Sequence, residues 1–375
     1  MRAVDAVVAA LAARPGTPFS WIVGEPCFEP PPELADALAR AAESPPFRYP
    51  PPGGLPMFRD ILAARFEEEG LSIAPSQITI TSGAKGGLLA LFAALLEPGD
   101  ELIHPQPCYP AYPAMANRLG ARSVAVAERD GSLSGWAEDV ARHINPRTRA
   151  VVLASPSNPT GATLDAAEAH ALVELCCARG IRLIVDEAYT DFKFEGDHQA
   201  LPADVDPNLS TVVRVRSASK SWAVCGWRIG WIIADASLAA RVARTHSSLL
   251  NPASGPAQAA LCALPNVSAQ YLENARLTVE SRVNELCSAI IHAGLPVKKP
   301  EGGFYLWLNM KDLRPTGMIN AAEWCVEVAR SSGVGLWPGD DFGGAGHVRI
   351  AVTAPSNTEW PSAVKALVEA LTAKE

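Results

Sequence analysis

The sequence predicts an α/β protein: a mostly parallel sheet sandwiched by helices, with a smaller α+β domain beside it. Three observations carry this. The chain has 375 residues, which suits about two domains at ~150 residues each. From Gln77 to Ala234, short β-branched apolar runs alternate with helical stretches, the texture of strands buried on both faces and connected by helices. After about Leu250 that alternation stops. A turn cluster, NPASGP (Asn251–Pro256), leads into one long helical stretch and then into mixed strands and helices. The expected division is an N-terminal arm with part of the small domain over 1–44, a large domain over 45–255, and a small C-terminal domain over 256–375.

In chain order, Met1 to Arg14 is rich in Ala and Val. Asp5 inside that run, a single basic residue ahead of it and no clear cleavage context make it a helix and not a signal peptide. Pro30–Pro32 and Pro50–Pro52 read as rigid connectors. Leu55, Phe58, Leu62 and Phe66 recur at helical spacing, with Pro56 near the start and Gly70 past the end. Strands are expected at Gln77–Thr81, Glu101–His104, Ser123–Ala127, Arg149–Ala154, Arg182–Val185, Thr211–Arg216 and Arg228–Ala234. Helices are expected at Ala84–Glu97, Ala111–Gly120 and Asp165–Arg179, the last with Asp165 as a plausible N-cap. Beyond the turn cluster, helices are expected near Ser268–Ala293, Ile319–Arg330 and Trp360–Lys374, and strands at Phe304–Leu308 and Val348–Val352.

Composition excludes several classes. The chain is 48% hydrophobic and 19% charged, so it is not disordered. Its formal net charge of −8 argues against a general nucleic-acid or anionic-membrane binder. No uninterrupted apolar run reaches membrane-spanning length. Eight cysteines without a CxxC pair do not make a disulfide framework, and seven histidines form no HExxH motif. A reduced, cytoplasmic protein without a metal is the simplest reading.

Ligands of parallel sheets bind beyond the carboxyl ends of the strands. Four such ends lead into polar, chemically capable segments: Ser82-Gly83-Ala84-Lys85, Ser155 through Gly161, Asp186-Glu187-Ala188-Tyr189, and Ser217-Ala218-Ser219-Lys220. Ser82–Lys85 opens a helix, whose free N–H groups and positive dipole end suit a phosphate; the small Gly83 and Ala84 let it approach the backbone. Read alone, the segment could equally be a plain strand-to-helix turn. Asp186 ends an apolar strand, where an unpaired carboxylate is costly. A cationic ring nitrogen ~3 Å away would give a gross attraction of about 5 kcal/mol at an effective dielectric near 20. A helix cap or an arginine salt bridge is the structural alternative. Lys220, in a partly apolar setting near phosphate-binding groups, could act as an amine nucleophile and form a Schiff base. Arg228 offers a fork of donors suited to a phosphate.

The segment Ser217–Gly230 resembles the lysine signature of the class I/II aminotransferases, pyridoxal-phosphate enzymes of fold type I (aspartate-aminotransferase-like). The resemblance runs along nearly the whole chain. Gly24-Glu25-Pro26 with Phe28, Tyr49–Arg59 (YPPPGGLPMFR), Thr81–Lys85, Pro107–Tyr112 (PCYPAY), Asn158–Gly161 (NPTG), Asp186–Tyr189 (DEAY), Pro300–Tyr305 (PEGGFY) and His347–Ile350 (HVRI) follow in the family's order. By this resemblance, Lys220 would hold pyridoxal 5′-phosphate as a Schiff base and shuttle the Cα proton. Asp186 would pair with the ring nitrogen and keep it protonated. Asn158 and Tyr189 would hydrogen-bond the ring's phenolic oxygen, and Tyr109 would stack on the ring. Gly83, Ala84, Lys85, Ser217 and Arg228 would hold the phosphate, joined by Tyr49 from the partner subunit of a homodimer. Arg349 would clamp the substrate carboxylate, with Gly24, Tyr109 and Asn158 also lining the substrate site.

The implied reaction is transfer of an amino group between an L-amino acid and a 2-oxo acid. The same fold also hosts lyases, decarboxylases and cyclases, and those alternatives stay open at the level of sequence. Two other classes fail. Ser217-x-x-Lys220 matches a serine β-lactamase motif, but the K-T-G element is missing. A nicotinamide dehydrogenase needs GxGxxG after a strand, and none occurs.

Overall fold

The computed structural model describes residues 2–16, 18–44, 48–129, 131–196, 201–202, 204–313, 320–353 and 359–373. Met1, Ile319 and Lys374, at the ends of three expected helices, lie outside the described residues. The strands are β1 (Phe19–Ser20), β2 (Ile78–Thr81), β3 (Glu101–Gln106), β4 (Arg122–Ala127), β5 (Thr148–Ala154), β6 (Arg182–Asp186), β7 (Val212–Ser217), β8 (Gly230–Ile233), β9 (Tyr305–Asn309), β10 (Val334–Gly335), β11 (Trp337–Pro338) and β12 (His347–Ala351).

Seven strands form the main sheet in the order β2-β8-β7-β6-β5-β3-β4. The pairs from β4 through β7 are parallel. Only β8 is reversed, antiparallel to both β7 and β2. Two reversals restore direction, so β2 ends on the same edge as β5, β6 and β7. The four polar segments seen in the sequence therefore do share one edge.

Alternation along the strands shows why the sheet is covered twice. Ala150 and Val152 of β5 and Ile184 of β6 pack with Leu88, Leu91, Tyr112 and Val242. Those residues belong to helices Gly83–Leu95, Ala111–Arg118 and Ala236–Leu250. Val151, Leu153, Leu183 and Val185 face the other way, against Trp136, Ala169, Leu172 and Val173. With both faces apolar, the strands read as continuous hydrophobic runs.

Two expectations are corrected in detail. Pro32 is not only a connector: it opens helix Pro32–Ala42, where its missing N–H and fixed φ cost nothing. Strand β8 starts at Gly230 and not at Arg228, because Arg228 adopts a left-handed conformation, φ 58°, which a strand does not accept.

Beside the main sheet lies a three-stranded antiparallel sheet, β11-β12-β9, and the parallel pair β1-β10. Helices Gln270–His292, Ala321–Ser332 and Trp360–Thr372 pack on them together with the N-terminal helix Ala3–Ala12, in one core that includes Val4, Val7, Trp21, Val283, Phe304, Val348 and Leu367. Among the described residues, no helix is long and apolar enough to cross a membrane, and no group of three His, Cys, Asp or Glu side chains is placed to hold a metal ion.

Candidate active site

A cavity of about 400 Å³ opens on the edge where β2, β5, β6 and β7 end. Gly24, Ala84, Lys85, Tyr109, Asn158, Asp186, Tyr189, Ser217, Lys220, Arg228 and Arg349 all line it. Gly83 stands just behind. A side chain there would meet the Arg228 guanidinium at 2.5 Å, so glycine lets that cation lie against the first turn of helix Gly83–Leu95. Tyr49 is the exception. Its side chain is 82% exposed and takes no part in the cavity of its own chain.

Asp186 ends β6 and is buried. Its Oδ2 accepts from the Tyr112 hydroxyl at 2.9 Å and its Oδ1 from the Ala188 N–H at 3.1 Å. No cationic side chain hydrogen-bonds it among the described residues, and burial pushes its pKa up to about 6. Its neighbour Glu187 points elsewhere and is neutralised by Arg214 and Arg216, each at 2.7 Å. The uncompensated charge at the end of β6 is thus Asp186 alone.

Lys220 follows β7 on the short helix Ala218–Ser221, whose N-cap Ser217 accepts from the Ser219 N–H. The Lys220 amine donates to the Gly24 carbonyl at 2.6 Å and lies 3.6 Å from the Cys225 thiol. Two glycines allow these approaches. A Cβ on Gly230 would lie 2.5 Å from the Ala84 nitrogen, so β8 can bring the lysine loop against the helix start. A Cβ on Gly24 would lie 2.3 Å from the Tyr305 hydroxyl.

Arg349, on β12, is buried. Its Nη1 donates to Asn158 Oδ1 at 2.9 Å and its Nη2 to the Ile22 carbonyl at 2.5 Å. The rings of Tyr305, Trp337 and Phe342 lie 4.1, 4.4 and 4.7 Å from its guanidinium carbon. Aromatic faces stabilise a guanidinium, though less than a carboxylate would. Its Nε is buried without a partner among the described residues. Tyr189 and Tyr305 share a hydroxyl–hydroxyl bond of 2.6 Å. Burial and the nearby Asp186 push the Tyr109 phenol up to about 12, so it stays protonated at neutral pH.

Sequence reading left several lining residues without a role: Val23, Glu25, Leu88, Tyr112, Cys225, Tyr305 and Trp337. Two carried a signal. Tyr112 lies one helical turn beyond Tyr109 within PCYPAY, and Tyr305 closes PEGGFY. Trp337 reaches the cavity from β11 and had no local signal.

Comparison with known proteins agrees with this geometry. The profile of the family Aminotransferase class I and II matches residues 17–367. An aspartate/prephenate aminotransferase of Thermus thermophilus is 35% identical over 335 residues, covering 88% of this chain and 84% of the relative. An arginine–pyruvate transaminase of Pseudomonas aeruginosa is 33% identical, with the same coverage of 88% and 84%. Among solved structures, aspartate aminotransferase from Thermus thermophilus with maleate superposes with a TM-score of 0.89 at 31% identity, covering 99% of this chain and 96% of that one. N-succinyldiaminopimelate aminotransferase from Mycobacterium tuberculosis gives 0.90 at 26% identity, covering 99% and 97%. Motif order, sheet topology and the residues gathered at the sheet edge converge on one conclusion: the chain belongs to the class I and II aminotransferases, pyridoxal-phosphate enzymes that transfer amino groups.

Proposed function

We propose that this chain moves an amino group between an L-amino acid and a 2-oxo acid at the cavity described above, with Lys220 holding the cofactor. One observation carries the reading. Among the described residues, the same cavity presents a buried carboxylate with no cation on it, Asp186, and a buried guanidinium with no carboxylate on it, Arg349. Such groups are costly unless a bound molecule supplies the missing partner.

The residues fit pyridoxal phosphate. Asp186 would accept from its protonated ring nitrogen. The helix start at Gly83, with Ala84, Lys85, Ser217 and the Arg228 guanidinium, would hold its phosphate. Asn158 and Tyr189 would bond its phenolic oxygen, and Tyr109 would cover the ring. When bound, the cofactor supplies an aldehyde for the amine and an electron sink for charge at Cα. Arg349 and the Gly24 backbone orient the substrate carboxylate. Lys220 Nζ takes the proton from the substrate Cα, as a positioned general base. Tyr112, bonded to Asp186, holds that carboxylate in place.

The working unit is a homodimer, supported by Tyr49 standing outside its own cavity. The domain limits at 44/45 and 255/256 are likewise a proposal, supported by the core that Val4 and Val7 share with Val283 and Leu367. A reducing, cytoplasmic setting is supported by the acidic balance and by eight free cysteines.

The test is a single-turnover screen of L-amino acids against the holoenzyme with no 2-oxo acid present. Conversion of the cofactor to its amine form, with release of the matching 2-oxo acid, is expected and names the donor. An amino acid consumed while the aldehyde form persists would overturn amino transfer in favour of elimination, decarboxylation or cyclisation.

A further inference from the structure

We propose that His246 is a positioning residue for the phosphate cup, holding the Thr81–Lys85 turn by accepting the Ser82 N–H. The proposal rests on the phosphate site assigned above. His246 lies on helix Ala236–Leu250, is fully buried, and packs from outside the cavity. Its Nε2 stands 2.9 Å from the Ser82 nitrogen. A backbone N–H can only donate, so Nε2 must carry the lone pair and the ring proton must sit on Nδ1. Nδ1 is buried and has no partner among the described residues. Leaving that N–H unpaired costs free energy that an apolar side chain of equal size would avoid. Only the acceptor at Nε2 offsets it.

The turn that His246 holds needs such support. Ser82 is the N-cap of helix Gly83–Leu95, yet its own side chain makes no capping bond. Gly83 takes φ +74°. On one side the Thr81 hydroxyl donates to the Gly83 carbonyl at 3.1 Å; on the other, His246 receives the Ser82 N–H. The amides that follow in the first helical turn have no intrahelical partner, and their direction decides how well they meet a phosphate. His246 thus tunes cofactor retention without touching the cofactor. Burial lowers its pKa below the ordinary histidine value, in keeping with a neutral ring.

Met and Gln are close in size, but only Gln can place a strong oxygen acceptor where Nε2 stands, the Met thioether being a weak one. The test compares His246→Met with His246→Gln as holoenzymes, reading release of pyridoxal phosphate on serial dilution and the ³¹P resonance of the bound cofactor. Loss of the one bond should loosen retention about five- to tenfold in the Met variant and shift the ³¹P resonance. The Gln variant should stay near wild type, with melting temperatures alike. Equal retention in the two variants would overturn the proposal. Arg228→Gln serves as the control for the site itself. If it loosens the cofactor while Met and Gln behave alike, only the role of His246 fails; if it changes nothing, the phosphate assignment fails as well. The ¹⁵N spectrum of the unaltered protein gives a reading that needs no variant: an unprotonated Nε2 is expected, and a protonated one would overturn the proposal.

Discussion

Glu128 is an acid with buried carboxylate oxygens that the proposed reaction does not use. It follows β4, both carboxylate oxygens are buried, and burial pushes its pKa up to about 7 from an ordinary 4.5. The nearby Ser157, Thr160 and Lys298 offset only part of that. The sign follows from proton binding. An unfolded chain loses this proton near 4.5, while the folded chain keeps it to about 7. Between those values the folded state binds more protons, so stability falls as pH rises, and the full penalty is present above 7. Glu128→Gln should therefore raise the melting temperature at pH 8 by about 2–4 °C, and the gain should shrink toward pH 5. Calorimetry at both pH values checks this; an equal gain at both would show that ionisation is not the cause. At this scale the sequence was informative where chemistry follows a strand. Lys220, Asp186 and Asn158 each stand just past an apolar run, and their motifs are local. His246 and Glu128 belong to no motif. Their roles arise from what a distant element places beside them.

The N-terminal helix Ala3–Ala12 was legible as a helix from its composition, but its anchor was not. The N–H groups of Ala3 and Val4 donate to the two oxygens of Asp341, at 2.8 and 3.0 Å. The same carboxylate accepts from the Trp337 indole at 2.8 Å, and Trp337 lies over Arg349. A carboxylate at a helix start satisfies orphan donors and favours the helix dipole. Here it also fixes the ring above the proposed substrate arginine. Ala3 and Asp341 are 338 positions apart, and no periodicity or spacing can reveal a contact of that range. Removing the carboxylate should act on both ends of the joint. Asp341→Ala should cost about 1–2 kcal/mol of stability, as loss of a helix cap does. It should also raise KM for the amino donor more than it lowers kcat. Asp341→Asn, which keeps one acceptor, should fall between the two. Steady-state kinetics beside thermal melts separate the outcomes: a loss of stability with KM unchanged would confine Asp341 to capping.

For the whole molecule, the alternation of strands and helices made the doubly covered sheet readable, because that pattern is repeated along the chain. The reversed strand β8 was not readable, since a buried strand has the same apolar texture in either direction. Nor can one chain's sequence show what covers its surface. Tyr49 is 82% exposed, and Met57, Leu249 and Leu250 expose 59%, 50% and 40% of their surface. A second copy that covered these exposed apolar side chains would follow the commonest rule of assembly, a symmetric pair. Tyr49 would then serve the partner's cavity and not its own, which mixed subunits can decide. Tyr49→Ala alone should weaken cofactor retention, and Lys220→Ala alone should abolish turnover. In a hybrid dimer the two lesions fall in one site if Tyr49 acts across the interface, and the other site is native. Remixing equal amounts of the two variants should then make about a quarter of the sites fully native under random pairing. If Tyr49 acts within its own chain, every site keeps one lesion and mixing restores nothing. Light scattering on the same samples should show a particle of two 39.6 kDa chains; full activity in a monomer would sink the dimer and the role of Tyr49 together.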